Sequence, residues 1–167
     1  MVVVSMGGVP WDYRGFSKFE LGDGPWVVVP GGSEVAVRRR GRLVLLPFHS
    51  EIYHPDLVGA ADVVVSKLGY STVAETYCAG AAMVYVERPR FPESAVLARW
   101  VEANMTAMRI AEGALDDGGW VEAASALLER PRHTPRHLNG AERAAKVILE
   151  HFGSLLDEPV CRVRAEE

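Results

Sequence analysis

The chain has 167 residues, and its 22 acidic against 18 basic side chains give a formal charge of -4, a balance that argues against a surface built for nucleic acid. Cys78 and Cys161 are its only cysteines, without metal-ligand spacing, which excludes a disulfide framework or a cysteine-rich zinc site and fits a reducing cytosol. No apolar run reaches the length of a signal sequence or a membrane span, so the expectation is a soluble, cytoplasmic chain without direct membrane insertion, long enough to bury one core.

The elements follow in order. Val2 to Val4 is a short β-branched run leading to Gly7-Gly8. Trp26 to Val29 and Leu43 to Pro47 read as further strands, with Arg38-Arg39-Arg40 and Arg42 as a solvated turn before the latter. Val63 to Val65 and Met83 to Val86 are strands on either side of a helical pattern that starts near Thr72. Helical periodicity returns from about Ser94 to Asn104, Asp117 to Glu129 and Leu138 to Phe152, with Asp116 or Asp117 as the N-cap of the second and Pro131 and Pro135 interrupting before the third. Strands alternating with helices imply an α/β fold, a Rossmann-like parallel sheet sandwiched by helices. Residues 1–153 are expected to form that domain. Residues 154–167, with Pro159 and scattered charge, are expected to be loose or to contact a partner.

The most informative stretch runs from Ala61 to Glu75. Three consecutive valines mark a strand covered on both faces. Lys67 brings a positive charge, Gly69 allows the backbone to turn, and Ser71 and Thr72 place hydroxyls where the next helix begins. The free N–H groups of that first turn and the positive end of the helix dipole attract an anion. Ser71 and Glu75, four apart, share one helical face.

This motif resembles the donor-sugar motif of two-domain, GT-B type glycosyltransferases, and above all that of the peptidoglycan N-acetylglucosaminyltransferase family. The fold so implied is a single domain equivalent to the donor half of a GT-B enzyme. By that resemblance Gly7, Gly8, Lys67, Gly69, Ser71 and Thr72 hold a diphosphate, and Glu75 accepts hydrogen bonds from the ribose. Pro47-Phe48-His49 is similar to the loop that reads the base, which assigns Phe48 and His49 to a uracil ring. Ala79-Gly80-Ala81-Ala82 is similar to the family's glycine-proline step, with Ala82 in place of the proline. The family's usual sugar-gripping pair is replaced by Arg90-Phe91-Pro92-Glu93-Ser94, a stretch that resembles the glycosyltransferase-like half of plant arabinose kinases. Arg90 and Glu93 are then the sugar contacts, the carboxylate accepting from vicinal hydroxyls.

The resemblance implies transfer of a hexose or N-acetylhexosamine from a nucleotide diphosphosugar, as substrate and not cofactor, to an acceptor hydroxyl. No metal site is expected and no catalytic residue is assigned, because the family's acceptor pocket and base lie in an N-terminal half that would be a separate domain or subunit. The chain is then an excised domain, a subunit of a split enzyme, or a stand-alone binder. Other readings stay open beside these. Thr72 and Glu75 have capping-box spacing, which any stable helix uses. Lys67 also suits a plain strand end. His49 with His54, and His133 with His137, read as loop polar groups and not metal ligands. Gly69-Tyr70-Ser71 lacks the second glycine of a nucleophile elbow. Trp26, Trp100 and Trp120 read as core or partner-facing anchors. A sugar-nucleotide epimerase or an α/β regulatory module shares the same segment order.

Overall fold

The computed structural model describes residues 1–7, 16–22, 24–135 and 140–156. They fall into two compact units, Met1–Pro135 and Arg136–Glu167. Gly8, Cys161 and residues 157–167 of the expected tail lie outside the described residues.

The first unit is built on a seven-stranded sheet. Its strands are β1 (Val2–Val4), β2 (Val27–Ser33), β3 (Arg38–Arg40), β4 (Leu43–Pro47), β5 (Val63–Lys67), β6 (Ala82–Val86) and β7 (Ala107–Arg109). Their order across the sheet is β3-β4-β2-β1-β5-β6-β7, and every neighbouring pair is parallel except β3 with β4. The helices are α1 (Ser17–Leu21), α2 (His54–Ala60), α3 (Tyr70–Ala79), α4 (Ser94–Asn104), α5 (Ala114–Asp117) and α6 (Trp120–Leu128).

Side chains alternate across a strand, so the valine runs feed both faces of the sheet. Val2, Val4, Val63 and Val65 pack on one face with Phe16 and Phe19 around α1, and with Leu115, Trp120 and Leu127 of α5 and α6. Val3, Val28 and Val64 point the other way, onto Val58 of α2. On that same face Met83 and Tyr85 meet Val73 and Tyr77 of α3 and Leu97 and Val101 of α4. This is a three-layer α/β sandwich with β1 and β5 buried at its centre.

The five strands expected from apolar runs are all present. The arginine run differs from its reading as a turn, because Arg38–Arg40 is an edge strand antiparallel to β4. Gly41, at φ +57°, closes the hairpin in a conformation that side chains rarely adopt, and a Cβ there would stand 2.5 Å from the Glu20 carbonyl oxygen. Arg39 lies over the Trp26 ring at 4.7 Å and Arg40 pairs with Glu20 at 3.2 Å, so the arginines remain solvated while their backbone joins the sheet. Asp116 and Asp117 belong to α5 and do not cap α6; Gly118 breaks the helix at φ +84° and the Asp117 carboxylate accepts from the Gly119 N–H at 2.8 Å.

After α6 the chain returns across the α2–α3 side. Arg132 donates to the Ala61 carbonyl, and the His133 ring stacks on Tyr77 at 5.3 Å. The second unit contributes α7 (Gly140–Leu156), which carries an i,i+4 pair between Lys146 and Glu150. Among the described residues no helix is long and apolar enough to cross a membrane.

Candidate functional site

The order in which strands are added reverses at β1: β2 lies on one side of it and β5 on the other, and the connections run away from that point in both directions. Open parallel sheets bind ligands in the crevice beyond the carboxyl ends of the strands at such a switch point. The carboxyl ends of β1, β5 and β6 meet there around one hollow. It is lined by Met6 and Gly7 after β1, by Ser66 to Thr72 at the end of β5 and the start of α3, and by Arg88 after β6.

Helix α3 begins in extended backbone at Gly69 (φ -159°, ψ 144°), and no side chain caps it. Its first ladder bond runs from the Val73 N–H to the Gly69 carbonyl at 3.0 Å. The N–H groups of Tyr70, Ser71 and Thr72 therefore precede the ladder, uncommitted within the helix, and all three residues line the hollow. This start removes the capping-box reading, because Thr72 is the third helical residue and not the cap. Gly69 also corrects an expectation. Its extended φ suits any residue, so no turn demands glycine there; a Cβ at this position would enter open space, and its absence keeps the mouth of the hollow clear.

Gly7 is a different case. It sits at φ +59°, and a Cβ there would stand 3.8 Å from the Thr72 Oγ1. The turn after β1 thus approaches the start of α3 closely, in a conformation that favours glycine. Of the expected diphosphate set, Gly7, Lys67, Gly69, Ser71 and Thr72 all line one hollow.

Two cations share it. Partial burial, and then the Arg88 guanidinium nearby, hold the Lys67 amine below the usual lysine range. Arg88 is held in place from two sides: its N–H donates to the Ser94 Oγ at 2.8 Å, and its guanidinium lies over the Phe91 ring at 3.3 Å. Two positive groups with no carboxylate among the residues lining the hollow give it a local positive charge on a chain of net negative charge.

A second hollow adjoins the first through Lys67 and Arg88. Arg90, Phe91, Glu87 and Glu112 also line it. Arg90, one of the two expected sugar contacts, lines this second hollow. Glu93, half-buried at the start of α4, lines neither hollow.

Glu75 lies one turn beyond Ser71 on α3 and is a quarter exposed. Its Oε2 is 2.7 Å from the His54 Nδ1, and the His54 Nε2 is 2.9 Å from the Ser5 Oγ. His54 is the first residue of α2, and Ser5 directly follows β1. Phe48 and His49 follow β4, with rings 5.1 Å apart edge to face, and Phe48 is half exposed. Strand spacing sets the end of β4 about 10 Å from that of β1, with β2 between. The expected base, ribose and phosphate residues thus lie along one edge of the sheet.

Sequence reasoning missed Arg88, Ser5 and His54. A helix between two parallel strands must start at the carboxyl edge of the sheet, so the Tyr53-His54-Pro55-Asp56 run before β5 carried the signal for His54. Among the described residues no group of three or more His, Cys, Asp or Glu side chains gathers to hold a metal ion, and Cys78 is exposed and unpaired.

No protein-family model matches the chain. Over 152 residues it is 26% identical to L-arabinokinase of Arabidopsis thaliana, a span of 90% of this chain but only 14% of that protein. Among solved structures it is similar to a chain from the structural basis of EarP-mediated arginine glycosylation of translation elongation factor EF-P. That likeness has a TM-score of 0.53 and 21% identity, and covers 92% of this chain and 60% of the other. The chain therefore spans part of each protein it resembles. Its fold is a Rossmann-like, mostly parallel α/β sheet flanked by helices, like the part of that solved structure it matches.

Proposed function

We propose that the chain binds the donor of a glycosyl transfer, a nucleotide diphosphosugar, and is the donor half of a glycosyltransferase. The observation that carries this reading is the convergence of the Gly7 turn, the free amides of α3, Lys67 and Arg88 on one hollow at the switch point of the sheet. A diphosphate there is met by backbone donors, the hydroxyls of Ser71 and Thr72 and two full charges. Glu75 accepts from the ribose one helical turn away, and Phe48 and His49 meet the base, with uracil the preferred ring. Arg90, which lines the second hollow, is the proposed sugar contact.

The chemistry follows from where charge develops. As the glycosidic bond to the diphosphate breaks, negative charge builds on the leaving phosphate oxygens while the sugar becomes oxocarbenium-like. Donors fixed beforehand around those oxygens stabilise the transition state more than the ground state. The acceptor and the base that deprotonates it come from a second half or subunit, supplied in the same chain or by a partner. The transferred group is a hexose or N-acetylhexosamine and the product a glycoside. A cytoplasmic location agrees with the use of nucleotide sugars.

Calorimetric titration with uridine, adenosine, guanosine and thymidine diphosphates tests this directly. One of the four is expected to bind at a single site. Glu75→Ala is expected to weaken that ligand by about tenfold, the worth of a hydrogen bond to a charged group, while inorganic pyrophosphate binds both proteins alike. Failure of all four to bind, or a Glu75→Ala protein that binds as the parent does, contradicts the reading.

A further inference from the structure

Glu75 is an awkward residue for recognising two ribose hydroxyls by itself. It stands part-buried on α3 between the exposed Ala74 and the buried Thr76, and a glutamate has three side-chain torsions to fix. The structure fixes them from outside the helix. Oε2 meets the His54 Nδ1 at 2.7 Å, and the opposite ring nitrogen meets the Ser5 Oγ at 2.9 Å. A carboxylate only accepts, so Nδ1 donates to it, and in the neutral ring Nε2 accepts the Ser5 hydroxyl proton. Ser5 is 3% exposed and begins the turn whose Gly7 N–H reaches back to its Oγ at 3.5 Å. The relay therefore ties the central strand, the glycine turn at the phosphate hollow and helix α3 through the first residue of α2.

We infer that His54 is a specificity-determining positioning residue: it holds one oxygen of Glu75 so that the other stays aimed at the ribose, and thereby sets preference for ribonucleotides over 2′-deoxyribonucleotides. This rests on the donor-binding reading above. His54 is given neither a phosphate nor a base contact in that reading, and it lines neither hollow. Its effect is confined to the sugar of the nucleotide. The carboxylate reaches the ribose preorganised, and the ordering cost falls outside the binding event.

The test pairs uridine, adenosine and guanosine diphosphates with their 2′-deoxy counterparts and measures each affinity, together with that of inorganic pyrophosphate. The parent protein is expected to prefer the ribonucleotide of its chosen base by about tenfold, the worth of one hydrogen bond to a charged group. His54→Ala is expected to bring that ratio close to unity with pyrophosphate affinity unchanged. His54→Asn, whose amide still donates to Glu75, is expected to restore most of it, and Ser5→Ala to give an intermediate ratio. A ratio that stays at the parental value in His54→Ala overturns the inference while leaving the donor site intact. A parent that binds none of the nucleotides overturns the donor site and the inference together. Thermal melting of each variant guards against misfolding, and Ser5→Ala carries the test if the His54→Ala variant does not fold, a parental ratio in it overturning the inference.

Discussion

Replacing Lys67 and Arg88 together by alanine is expected to weaken nucleoside diphosphate binding by at least a hundredfold. In the proposed site each side chain supplies a charge-assisted hydrogen bond to a phosphate oxygen, and hydrogen bonds to charged groups contribute about 1.5–3 kcal/mol apiece. Among the described residues no other cationic side chain lines the hollow at the start of α3 to replace them. Each single variant should cost about tenfold or more, and Lys146→Ala on α7 should change nothing.

Acid-base behaviour separates the two cations. Burial and the Arg88 charge lower the Lys67 pKa, whereas an arginine stays charged throughout. The protonated amine binds the anion and the free amine does not. Affinity should therefore hold steady from neutral pH upward and fall as pH rises through the Lys67 pKa, at a lower pH than an ordinary lysine would give. Lys67→Arg should remove that fall, and Arg88→Gln should move it to higher pH by withdrawing a repelling charge. Calorimetry across the alkaline range measures both.

The largest effect on stability belongs to Trp120. Its side chain is 1% exposed, stacked on Phe19 at 5.5 Å and edge-on to Phe16 at 5.7 Å, in the cluster that joins α1 and α6 to the sheet. Trp120→Ala should lower the unfolding free energy by about 3–5 kcal/mol, because a large void replaces contacts on three sides. For a domain of marginal stability that is a large fraction of the total. Chemical denaturation should show a lower midpoint. Trp100→Ala, at a residue 41% exposed beside Tyr77, should cost much less.

The contrast between Trp120 and Trp100 shows what could be read from the chain alone. Both tryptophans lie among apolar neighbours in sequence, and only the packed layers tell them apart. The central strands were legible because β-branched runs such as Val63 to Val65 are favoured where both faces of a sheet are covered. Strands β3 and β7 were not, since three exposed arginines and the short Ala107–Arg109 segment become strands by pairing with a neighbour. Helix α2 escaped notice because seven residues containing a proline give too little periodicity.

The site divides along the same line. Lys67, Gly69, Ser71 and Thr72 are contiguous, so strand, charge and helix start could be read together. Arg88 joins them only because β6 lies beside β5, and Ser5 only because β1 lies on its other side. His54 was weighed as a metal ligand and as a loop residue. Its partner proved to be Glu75, 21 residues away, so the residue expected at the ribose has a support of its own.

The claim on which the rest depends is that the β5–α3 junction and the Gly7 turn form a diphosphate site. Backbone amide chemical shifts followed by NMR during titration with inorganic pyrophosphate test it without any help from base or sugar. The account predicts that the largest saturable shifts fall at Gly7 and at residues 69–72, and that they vanish in the Lys67→Ala, Arg88→Ala double variant. Shifts centred instead on the arginine edge strand, or none at these amides at saturating pyrophosphate, would contradict it.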